Sequence, residues 1–396
     1  MDSVSILPDF SDLPNHLLSV IAEYLEDRFD THHFRAVCNS FFESAERPRI
    51  PVSPHKKIKI YFPLSVAVEL WGEFVLAEST IYALEPLNKI YNAHLTSNTW
   101  LVRLEETEPG KVILEDPLSR IYVNQVARKL PQTLNLLDYR VKEISKSYRL
   151  ELVSSTFARH ILYFEKVVIS PLGGFCVMAL VSGGRVGIWR CSTRNWLNIA
   201  VVDNGFRFED VSYHDNKFYA VNTRGATMTV DPETLDIFEV AGPLQEWSSG
   251  FKYLVNSSDG MYLVKKFWIE ECCGCHMDAD KEACPIRLLV FKLDERRRQW
   301  LPLGDELKDR ALFVGEDCSF SMSTKDFAGI KPNCVYFADD EFYRVNRHHP
   351  GGNVGIFDLE TQTAAPLGAF PGYSKLFWPP PPWLKLSSAS TSKVNG

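Results

Sequence analysis

The densest group of reactive side chains is ECCGCHMDADKEAC at residues 271–284, which holds four of the chain's nine cysteines. Cys272 and Cys275 have C-x-x-C spacing, His276 follows at once, and Cys284 lies nine residues beyond Cys275. These are ligand types that zinc takes. No second spaced pair accompanies them, and two adjacent residues such as Cys275 and His276 need not reach one ion. Five acids (Glu270, Glu271, Asp278, Asp280 and Glu282) share the stretch. A structural zinc clip and a variable loop with exposed thiols are both open, and the missing second pair favours the loop. No metal ligand is therefore assigned and no cofactor is expected. A redox role lacks the strand–helix–strand context such a motif needs.

Other chemistries are poorly supplied. The chain has no G-x-S-x-G elbow, no H-E-x-x-H and no Walker-type phosphate loop. GGRVG (183–187) and HHPGGNVG (348–355) are glycine-rich, but each runs into a strand-like segment. A phosphate cradle needs a following helix, so both read as β-turns. The His pairs at 32–33 and 348–349 read as a helix start and a loop. No catalytic residue is assigned.

Whatever the function, the elements that carry it must be mostly strands. The chain has 396 residues, 45% of them apolar and 23% charged, a composition of globular proteins. Acidic residues and prolines near the start argue against a secretory signal, so the cysteines are expected as free thiols. The longest apolar run, FCVMALV (175–181), is far short of the roughly 18 residues of a membrane span. A net charge of −7 disfavours nucleic acid as main partner, because the phosphate backbone calls for clustered Lys and Arg. HKKIK (55–59) reads as a solvated strand edge. Neither nucleic acid nor membrane is expected as a partner, and location is expected in the nucleus, the cytoplasm or both.

The hydrophobic period divides the chain into a helical module at 9–45, a proline-rich linker at 46–57, a strand-rich domain at 58–384 and a disordered tail at 385–396. Pro48, Pro51 and Pro54 mark the linker. Beyond it, short Val-, Ile-, Phe- and Tyr-rich runs alternate with turn chemistry such as PLGG, DPET and SSDG. Residues 120–160 are the exception, expected as a helical turn or a long loop. Trp378 and Trp383, around PPPPWL (379–384), are expected to pin the chain end onto this domain.

Four segments repeat one form, an apolar strand, a polar turn and a second strand: 185–199, 226–240, 287–303 and 353–367. Trp196, Phe238, Trp300 and Leu367 fall in comparable places. The first two start 41 residues apart, near the roughly 40–50-residue period of propeller blades. The expected fold is mainly β with a small α N-terminal module: a short helical module followed by a β-propeller of about six or seven blades. A β-sandwich is the alternative.

The N-terminal SDLPNHLLSVIAEYLEDRFDTHHFRAVCNSFF reads as two short amphipathic helices. Ser11 or Asp12 can cap the first, with Pro14 in its first turn. Leu17, Leu18, Ile21 and Leu25 make one apolar stripe. The second starts after Asp30 and turns Phe34, Val37, Cys38 and Phe41 inward. Helices this short rarely hold in water alone. The stripe must pack on this chain or on a partner, and the prolines that follow favour a partner.

These residues resemble an F-box. Leu13, Pro14, Leu17, Leu18, Ile21 and Leu25 match its first part, and Phe34, Arg35, Val37, Cys38 and Phe41 its second, with Phe41 where the family usually has Trp. Later phrases, VSYHDNKFYAVNTRG, PNCVYFADDE, VGIFDL and PPPPWL among them, resemble plant F-box proteins with a kelch-like β-propeller of unknown function. The resemblance implies the substrate-receptor subunit of a Skp–cullin–F-box ubiquitin ligase, which does no bond chemistry itself. Leu13, Pro14, Leu17, Leu18, Ile21, Leu25, Phe34, Val37, Cys38 and Phe41 would bind the Skp-type adaptor and through it the cullin–RING scaffold. A protein substrate, not identified by the sequence, would sit on the propeller. The alternative is a propeller hydrolase or sugar-processing enzyme whose helices pack internally.

Overall fold

Aromatic and β-branched runs become strands from Lys56 onward, as side chains that suit a pleated, buried surface should. The computed structural model describes residues 13–25, 28–35, 37–45, 56–62, 70–87, 99–108, 111–119, 138–155, 164–171, 175–199, 207–244, 250–268, 286–303, 307–327, 329–339, 353–377, 380–381 and 383–384. The Cys/His stretch, Trp378 and the tail lie outside them.

The first strand group comprises β1 (Lys56–Phe62), β2 (Leu70–Pro86), β3 (Trp100–Glu108), β4 (Lys111–Glu115) and β5 (Tyr139–Ser155). It runs β4-β3-β2-β5, with β1 also paired to β2. Three antiparallel meanders follow. The first is β6 (Phe164–Ser170), β7 (Cys176–Val181), β8 (Arg185–Arg190) and β9 (Trp196–Asn198). The second is β10 (Phe208–His214), β11 (Lys217–Asn222), β12 (Thr227–Val230) and β13 (Ile237–Ala241). The third is β14 (Phe251–Ser257), β15 (Gly260–Trp268), β16 (Ile286–Asp294) and β17 (Gln299–Leu303). The last group is β18 (Arg310–Val314), β19 (Ser319–Ser323), β20 (Cys334–Ala338), β21 (Val354–Asp358) and β22 (Thr363–Pro366).

Apolar clusters join each group to the next. Phe74, Phe164 and Trp196 join the first to the second, and Met178, Ile188 and Phe218 join the second to the third. Tyr219, Leu254 and Trp300 continue the series, as do Val264, Leu312 and Phe357. Ile81, Leu101, Phe313 and Tyr336 then bring the last group back to the first. Strands such as β7 and β21 are buried on both faces, as propeller blades require. Five strands lie innermost: β5 beside β6, β6 beside β10, β10 beside β14, β14 beside β19 and β19 beside β5. The expected six or seven blades is a count over the whole chain, part of which lies outside the described residues.

The four sequence repeats are the outer hairpins β8–β9, β12–β13, β16–β17 and β21–β22. Their turns share a mechanism. Arg194, Leu235, Arg298 and Gln362 all take positive φ just before the second strand, the left-handed step of a short hairpin loop. Asp231, Asp294 and Asp358 each accept backbone N–H bonds within their turns.

Two expectations need correction. Residues 139–155 are neither helical turn nor loop: they form β5, paired with β2 along its whole length. The N-terminal pair is three helices, α1 (Asn15–Glu23), α2 (Arg28–Arg35) and α3 (Asn39–Ser44), because Cys38 is extended and ends any continuous second helix. Residues 56–59 of HKKIK do fall in a strand, β1, and His55 lies outside the described residues. Trp383 does pin the chain end, buried against Tyr139 with ring centroids 5.7 Å apart.

Candidate functional site

α1 is set by its first residue. Pro14 is the N-cap itself, with extended backbone (φ −58°, ψ 142°) and no side-chain cap bond. That places it one step ahead of the first-turn position expected for it. Its carbonyl accepts from Leu17 N at 2.9 Å and Leu18 N at 3.2 Å, which starts the helix. Ser11 and Asp12 lie outside the described residues.

α3 packs on both α1 and α2, and α2 lies against β5. Inside this small module Leu18 is fully buried and Phe41 is 8% exposed. Phe34 meets Phe41 at 4.6 Å between ring centroids. Arg35 covers the Phe42 ring at 4.1 Å and donates to the Ala45 carbonyl. These contacts hold the three helices to one another.

The opposite side of α1 is bare. Leu17, Val20 and Ile21 are 41–47% exposed and Tyr24 is 81% exposed. Their spacing, i, i+3, i+4 and i+7, is one face of a helix. Val37 (61%) and Phe42 (50%) add two more apolar side chains to the surface of the module. Fully burying each such group is worth about 1.5–3 kcal/mol.

The ten residues named from the sequence therefore divide. Leu17, Ile21, Val37 and Pro14 are exposed, while Leu13, Leu25, Phe34 and Cys38 are half-buried. Leu18 and Phe41 face inward, so they build the module instead of presenting a surface, and of the two adjacent phenylalanines the exposed one is Phe42. Val20, Tyr24 and Phe42 were missed. The i, i+3, i+4, i+7 spacing from Leu17 could have found the first two.

The second candidate, the Cys/His stretch, lies between the paired strands β15 and β16, whose ends Trp268 and Ile286 face each other. Its own residues are outside the described ones. Among the described residues no group of three or more His, Cys, Asp or Glu is placed to hold a metal.

Acidic side chains do gather near the inner strands, where the enzyme alternative needs them. Three of them are tied to cations. Asp210 meets Lys166 at 2.7 Å, Glu209 meets Lys252 at 3.0 Å, and both oxygens of Asp317 are held by Arg103. Asp210 also accepts from the backbone N–H groups of Val211 and Leu254. Such pairing spends their capacity on structure.

Comparison with known proteins matches residues 74–358 to the KIB1-4 beta-propeller family model. The chain belongs to the KIB1-4 beta-propeller family. Two relatives from Arabidopsis thaliana align nearly end to end. F-box protein SKIP23 is 29% identical, covering 95% of both chains, and F-box protein At2g17036 is 28% identical, covering 98% of both. The resemblance to plant F-box proteins with a C-terminal propeller is thereby borne out, as is the mainly β fold with a few N-terminal helices.

Proposed function

We propose that this KIB1-4 propeller protein is the substrate-recognition subunit of a Skp–cullin–F-box ubiquitin ligase. Its N-terminal helices dock on a Skp-type adaptor, which carries the cullin–RING scaffold, and its propeller holds a protein substrate. The single observation that carries the reading is the exposed face of α1, with Leu17, Val20, Ile21 and Tyr24 outward while Leu18 alone is sealed inside. The F-box names of near-full-length relatives support it.

On this reading the chain is non-catalytic. It raises the effective concentration of a substrate lysine beside a ubiquitin-loaded conjugating enzyme, a gain that needs no group of its own at the reacting atoms. A few desolvated anchors usually dominate such an interface, and the face of α1 supplies them. The proposed unit boundaries are 9–45 for the docking module, 46–57 for the linker and 58–384 for the propeller. The work is placed in the nucleus, the cytoplasm or both.

Deleting residues 1–45 separates this reading from a propeller enzyme with internally packed helices. The expected outcome is a β-domain that unfolds as cooperatively as the full chain and no longer co-purifies with the adaptor. Collapse of the β-domain would favour the enzyme.

A further inference from the structure

The second meander ends on an open edge. β13 pairs with β12 on one side, and among the described residues no strand pairs with its other side. Such edges invite pairing with another chain, and proteins blunt them with proline or with very short strands. The other outer strands follow that rule: β9 is three residues long, and β17 and β22 carry Pro302 and Pro366. β13 does not. It has five residues, no proline, and two large apolar side chains in the open, Ile237 at 46% and Phe238 at 63% exposure.

The register sets which backbone groups this edge offers. Asp231 N donates to the Asp236 carbonyl at 3.1 Å, a hydrogen-bonded pair across the hairpin. Hydrogen-bonded and non-hydrogen-bonded pairs alternate along an antiparallel ladder. Phe238, opposite Thr229, therefore bonds inward, while Ile237 and Glu239 turn their N–H and C=O groups away from β12.

Charge is divided along the edge. Glu233 and Asp236 precede β13 and Glu239 lies within it, all exposed and without an ion-pair partner among the described residues. The far end of β13 lies beside the tip of the β16–β17 hairpin, where the Gly242 N–H donates to the Arg298 carbonyl at 3.2 Å. Arg296 and Arg298 on that tip are exposed and equally without a carboxylate partner among the described residues.

An acidic start and a basic end make this edge complementary to itself run backwards, which is the relation a two-fold axis supplies. We propose that two copies of this chain pair antiparallel through β13, with the axis at Phe238. Ile237 of each copy then exchanges backbone bonds with Glu239 of the other, and the two Phe238 rings meet on one face of the joined sheet. Glu233 and Asp236 of one copy come against the end of β13 where the other copy carries Arg298. The contact uses no residue of α1. One strand per copy is a small interface, so the dimer is weak and concentration-dependent.

Sedimentation velocity of the full chain over a rising concentration series tests this. The dimer fraction should grow with concentration and shrink with added salt, which screens exposed charges. Phe238→Lys places like charges opposite each other across the axis and should weaken dimerisation by about tenfold or more. Its thermal midpoint should stay near that of the parent chain, because the position is exposed. A second pair of variants reads the charge pattern. Glu233→Lys with Asp236→Lys, and separately Arg296→Glu with Arg298→Glu, should each reduce the dimer, and an equimolar mixture of the two proteins should restore it. A chain that stays monomeric at every concentration overturns the proposal and leaves the edge to a different protein. A dimer that Phe238→Lys does not weaken overturns it as well, as does a mixture that fails to recover.

Discussion

Arg103 is a large side chain with no solvent exposure, and it stands where the last strand group meets the first. It bonds Ser79 at 2.8 Å, Ser147, and both oxygens of Asp317, and lies 3.2 Å from Glu115. Removing one partner of a buried ionic network costs about 3–5 kcal/mol, because the others stay buried without a counter-charge. Arg103→Leu should lower stability by that amount in urea unfolding; a change within about 0.5 kcal/mol, the size of an ordinary surface substitution, would show that the network contributes little. None of this was legible beforehand. The Asp that holds Arg103 lies 214 positions away in the sequence. Leu18 and Leu17 were equally inseparable. Adjacent leucines on a short helix look alike until the partner helix α3 decides which one it covers.

Elements were legible where chemistry is local. The outer hairpins repeat because each needs the same turn, and the turn residues sit next to one another in sequence. β8 also shows what the repeat protects: a methyl group on Gly187 would overlap the Trp196 indole, which reaches across from β9 and bonds Asn198 at 2.9 Å. Gly187→Val should therefore cost about 1–3 kcal/mol as overpacking, seen as a lower thermal midpoint. An unchanged midpoint would mean that the indole moves aside freely. β5 was not legible. YRVKEISKSYRLELVSS is rich in Lys, Arg and Glu, a composition poor in strand propensity, and pairing with β2 overrides it. The charges instead pair with other strands of the group, Lys146 with Glu78 on the adjacent β2 and Arg149 with Glu105 on β3 beyond it. The split of the second helix was hidden for a related reason. Nothing in FRAVCNSFF breaks a helix outright, and the extended Cys38 follows from how α3 must turn to cover α1 and α2.

At the scale of the whole molecule, two kinds of surface are kept apart. Apolar area between the strand groups is consumed by ring closure, from the Phe74 cluster round to the Phe313 cluster. Trp383 fastens the chain end to the same ring. α1 is the contrast, a helix with one residue sealed and four apolar ones open on a single face. The most direct test is the affinity of the intact chain for a purified Skp-type adaptor, compared with that of the Leu17→Arg, Ile21→Arg variant. Both positions are exposed, so the variant should keep the wild-type circular dichroism and unfolding curve. Leu17 and Ile21 keep about 40% of their surface for a partner to bury, so losing both should weaken binding by about tenfold or more. Equal affinity of the two proteins would contradict the account, because the adaptor would then be gripping something other than this face of α1.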